Sequence, residues 1–72
     1  MEYTFITYKN HTPVMTHKMD DALANADERT NVSMFYGDTL VFSMYRNRVV
    51  EMIQSNRIVP FVEQRKKDLG LQ

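Results

Sequence analysis

The 72-residue chain has no cysteine and only two glycines and two prolines. Without thiols there is no disulfide and no thiolate metal site, a composition that fits a reducing compartment. No apolar run approaches the roughly 20 residues of a membrane-spanning helix. The opening MEYTFITYKN lacks a basic stretch followed by an apolar one, so it does not read as a secretion signal. A cytoplasmic location is the expectation. Repeats, low-complexity tracts and long linkers are also missing, which points to one small globular domain over residues 1–72. A core of this size has little stability to spare, and a partner is a ready source of further buried area.

Charge is scarce in the net and uneven in place. Nine basic and nine acidic side chains cancel. Residues 1–45 hold three basic against six acidic, a net of −3, and residues 46–72 hold six against three, a net of +3. An electrically two-sided molecule is expected, able to steer a partner.

What the chain does have is an apolar stretch at its centre, VSMFYGDTLVFSMY over residues 32–45, interrupted by Gly37-Asp38. As a hairpin it has strands 32–36 and 39–45, rich in Val, Phe, Tyr and Thr, joined by a two-residue turn with Gly first, as a type II′ turn prefers. A long helix capped by Asp38 and reaching about residue 56 is the rival. Its Leu40, Val41, Phe42, Val50 and Ile53 spread around the helix circumference and form no stripe, so the hairpin is preferred. Pairing Tyr36 with Thr39 assigns the faces by strict alternation. Phe35, Leu40, Phe42 and Met44 share one with Ser33, and Val32, Met34, Tyr36 and Val41 share the other with Thr39 and Ser43.

Before this hairpin, residues 2–9 alternate as a strand, and residues 10–13 are turn chemistry. Residues 14–18 return as a second strand, confined to a sheet edge by Pro13. Asp20 or Asp21 can cap a helix over residues 19–29. After Tyr45 the period becomes helical. A helix over residues 48–56 is expected with Asn47 as N-cap, then a last helix over residues 60–69 with Pro60 in its first turn and Gly70 as its stop. The expected fold is α+β: a small antiparallel sheet of two β-hairpins with two or three short helices packed on it, in the order ββαββαα.

Chemistry has few places to reside. His11 and His17 match no ligand spacing, so no metal or cofactor is expected. The carboxylates read as caps and surface charge, and Ser33, Ser43 and Ser55 lack a nucleophile-elbow context, so no catalytic residue is assigned. The expected role is a non-enzymatic protein-interaction module, a regulator or inhibitor that binds a larger protein or self-associates. Its interface candidates are Met34, Tyr36, Val41 and Tyr45, the first three on the hairpin face taken as less buried. The alternative is a nucleic-acid-binding accessory using Arg46, Arg48, Arg57, Arg65, Lys66 and Lys67. A small metal-independent nuclease is the third.

Overall fold

A computed structural model describes residues 2–71. Its elements are β1 (Tyr3–Lys9), β2 (Thr12–Thr16), α1 (Met19–Ala24), β3 (Asn31–Tyr36), β4 (Thr39–Tyr45), α2 (Arg46–Gln54) and α3 (Ile58–Asp68), the expected ββαββαα order. The strands form one antiparallel sheet in the order β2-β1-β3-β4. Each hairpin is local, and the β1–β3 pairing joins them. Pro13 lies in β2, at the sheet edge, where its missing N–H costs no ladder bond.

Both hairpin turns are two residues long and use left-handed backbone. Asn10 and His11 have φ of 52° and 65° between the paired Lys9 and Thr12, the type I′ pattern, so β2 starts earlier than expected and takes in Pro13. Gly37 has φ of 61° between the paired Tyr36 and Thr39, while Asp38 stays on the negative side, as a II′ turn requires.

Beyond that turn the faces depart from strict alternation. Phe35 pairs with Leu40, but Met34 pairs with Phe42, so Val41 is an extra residue in β4, a β-bulge. From Phe42 onward every side chain of β4 is exchanged between faces. Phe42 and Met44 join Val32 and Met34 on the inner face, and Ser43 moves outward to pair with Ser33.

The helices follow from local signals. α1 ends at Ala24, short of the expected residue 29, and the Asn25 side chain donates to the Asp21 carbonyl at 2.8 Å. Asp20 and Asp21 lie in its first turn without capping, the N-cap being Lys18. α2 starts directly after β4 with Tyr45 as N-cap, not Asn47. Its end is a Schellman motif: Asn56 is left-handed (φ 59°), Arg57 N–H donates to the Met52 carbonyl and Asn56 N–H to that of Ile53. α3 begins two residues before Pro60, which sits in the first turn, where its missing N–H has no partner to lose. Gly70 (φ 73°) closes α3 with a second Schellman motif, Leu71 N–H to the Lys66 carbonyl and Gly70 N–H to that of Lys67.

All three helices cover the same side of the sheet. Ala22 from α1, Val49 from α2 and Val62 from α3 meet Phe5, Val32, Met34, Val41 and Phe42 in one core. Thr7, buried among them, donates its hydroxyl to the Asn25 carbonyl at 3.1 Å. The result is a two-layer slab whose Cα atoms span 34 × 27 × 15 Å. Among the described residues, no helix is long and apolar enough to cross a membrane.

Candidate functional site

The bulge decides which surface is available. Met34 and Val41, expected on the less buried hairpin face, are core residues, 4% and 0% exposed. Tyr36 is half-buried and stacks at a tilt on Tyr3, its register partner, with ring centres 5.3 Å apart. Of the four interface candidates only Tyr45 is well exposed, at 64%. The physical reason is the extra residue: with Val41 inserted, Phe42 and Met44 turn inward to join Val32, Met34 and Val41 beneath the helices, and the spare face is the opposite one.

That opposite face has no helix on it. Register places its side chains in three rows across the strands. Nearest the Gly37 turn are Thr4, Phe35 and Leu40. The middle row is Met15, Ile6, Ser33 and Ser43. The third holds Pro13 and Tyr8 on one hairpin and Asn31 and Tyr45 on the other. None of these eleven side chains is a carboxylate, ammonium, guanidinium or imidazole. Met15 is 66% exposed, Tyr8 46% and Leu40 44%, with Ile6 and Phe35 half-buried between them. A hollow of about 350 Å³ lies over Thr4, walled by Ile6, Met15 and Phe35 and closed on the turn side by Gly37 and Asp38. In the middle row the hydroxyls of Ser33 and Ser43 bond each other at 3.1 Å. Solvated sheet faces alternate polar outward. This one carries a connected apolar patch whose nearest charge is Asp38, at the rim of the hollow.

The sheet edges are less accessible than the face. On β4, the Val41 carbonyl accepts the Arg65 Nε–H at 3.0 Å, and on β2 Pro13 cannot donate. Both features blunt strand addition.

The six basic residues of the second half do not form one open surface. Arg46 Nε donates to the Leu23 carbonyl at 3.1 Å, tying α2 to α1. Arg48 and Arg57 both pair with Glu51, at 3.4 and 2.7 Å. Arg65 holds β4, and Lys66 Nζ donates to the Tyr3 hydroxyl at 2.8 Å while lying 4.9 Å from the Tyr36 ring centre. Lys67 is exposed. Five of the six are thus engaged within the chain. The histidines are apart in role: His11 forms the first turn, and His17 Nδ1 lies 3.2 Å from the Tyr3 carbonyl. Among the described residues no group of three or more His, Asp or Glu is placed to hold a metal ion.

The Lys66 contact has a pH signature. Its hydrogen bond to Tyr3 raises the ammonium pKa above the ordinary 10.5. Partial desolvation opposes this, and the charges of Tyr3, Glu63 and Tyr36 add to the rise. A lysine whose folded-state pKa is raised contributes stability that is complete below its unfolded value and is lost as pH climbs through the folded value. Thermal melts between about pH 9 and pH 11.5 should therefore show a steeper loss for the native chain than for Lys66→Met. Parallel curves would show that the contact adds no stability.

Comparison of the chain with protein-family models, with curated proteins and with solved structures finds no match.

Proposed function

We propose that the chain is a small non-enzymatic protein-interaction module, a regulator or inhibitor that lays the bare face of its sheet on another polypeptide chain. The observation that supports this reading is the apolar face itself, with Ile6, Phe35, Leu40 and Met15 contiguous on it, its one nearby charge, Asp38, at the rim, and the edges blunted. Burying such a face releases ordered water from apolar surface at about 25 cal/mol per Å², and of the charged groups only Asp38 lies at its rim. A cytoplasmic site of action belongs to the same proposal, supported by the absence of cysteine.

The test uses three immobilised chains in one extract: the native chain, a Met15→Glu/Leu40→Glu variant, and a Lys67→Glu control. At least one polypeptide should be retained by the native chain and the control at about 0.5 M salt, where exposed charge pairs are screened, and lost from the double variant. Equal retention by all three would remove the sheet face from the proposal. Retention that vanishes with salt and with Lys67→Glu would instead favour a polyanion.

A further inference from the structure

We infer that the chain covering this face is a second copy of itself, related by a two-fold axis that runs parallel to the strands between β1 and β3. The inference rests on the reading just given and adds the identity of the occupant.

The pattern of side-chain sizes carries it. An axis so placed exchanges β1 with β3 and β2 with β4 across the interface. In the middle row, the large Met15 and Ile6 occupy one hairpin and the small Ser33 and Ser43 the other. The two-fold therefore sets Ile6 on the second copy's Ser33 and Met15 on its Ser43, and symmetry repeats both contacts. In the row beside the turn, Phe35 meets the second copy's Thr4, the floor of the 350 Å³ hollow. Large side chains meet small ones in both rows, which is the self-complementarity an isologous interface needs. Sheets packed this way lie about 10 Å apart with their strands nearly aligned.

Ser33 and Ser43 share one hydrogen bond, so covering them with Ile6 and Met15 leaves a single serine O–H to be desolvated in place of two. The three rows bring no like charges together; Asp38, on the rim of the hollow beside Gly37, is the acidic group nearest the contact.

Surface area sets the strength. Four strands about 4.8 Å apart and about 20 Å long present roughly 400 Å² in projection. Two copies thus cover roughly 800 Å² in projection, below the roughly 1,200 Å² at which standard specific interfaces begin, so the association is weak and reversible.

Sedimentation equilibrium from about 1 μM to about 1 mM tests this, with circular dichroism melts to confirm folding. The native chain should pass from monomer to dimer across that range. Met15→Lys and Ser43→Asp should each remain monomeric, weakening association at least tenfold, with melts like the native one. An equimolar mixture of the two should restore a dimer, because the introduced lysine of one faces the introduced aspartate of the other. If Ser43→Asp melts early, Ile6→Lys mixed with Ser33→Asp probes the neighbouring contact in the same way. A native chain that stays monomeric at about 1 mM, a dimer indifferent to Met15→Lys, or a mixture of folded variants that fails to associate each overturns the inference. A monomer whose extract partner still depends on Met15 and Leu40 overturns the self-association alone. Independence from the face in both assays removes the broader reading as well.

Discussion

Val41→Asp unfolds the protein. Val41 is fully buried at the bulge, with its carbonyl held by Arg65 and its side chain in the core. The substitution forfeits about 1.5–3 kcal/mol of apolar burial and places a carboxylate where water is excluded, at a further cost of several kcal/mol. A chain of 72 residues has about 4–11 kcal/mol in total, at 0.05–0.15 kcal/mol per residue. The expected measurement is loss of the cooperative thermal transition, or a midpoint lowered by more than about 20 °C. A folded variant melting within about 10 °C of the native chain would show that residue 41 is not in the core.

Phe42→Ala and Leu40→Ala should differ severalfold in cost, although the two positions are two residues apart on one strand. Phe42 is 4% exposed and sets its ring 6.0 Å from that of Phe61 on α3, so its truncation should cost about 3–5 kcal/mol. Leu40 is 44% exposed on the outer face, and its truncation should cost less than about 1 kcal/mol. Urea titrations of the two variants read this directly. Similar midpoints would mean that the two side chains share a face, as an unbulged strand requires, and the bare face would then lie elsewhere.

The element order, the central turn with Gly37 first, the edge position of Pro13 and the stop at Gly70 are all legible in the sequence. Each rests on a local rule with one physical solution: positive φ for glycine, a missing N–H for proline, a change of period after Tyr45. The face assignment is not, because one inserted residue reverses every side chain beyond it and alternation carries no record of the insertion. One signal is present nonetheless. Strict alternation puts Ser33 and Ser43 on opposite faces, and one hydroxyl would then be buried in the core. A bulge at Leu40-Val41-Phe42 puts both serines outside together. The apolar triplet there marks where the extra residue fits, since two consecutive side chains of a bulge can point inward. The interface candidates Met34, Tyr36 and Val41 inherit the error, and Tyr45 escapes it by lying at the strand end. The basic residues are visible by charge, but their engagement with Leu23, Glu51, Val41 and Tyr3 depends on contacts far apart in the chain, which no local pattern encodes.

The clasp between Tyr3 and Lys66 joins residues 63 apart in the chain. Phe5, near the start, and Val62, near the end, likewise share one core. During synthesis, then, β1 leaves the ribosome with no sheet to enter, and the first hairpin alone has no covered face. Two-stranded hairpins are marginal in water. The core is complete only when α3 packs against β4. Folding of this unit therefore waits for α3, and a chain cut short of it leaves apolar sheet surface uncovered.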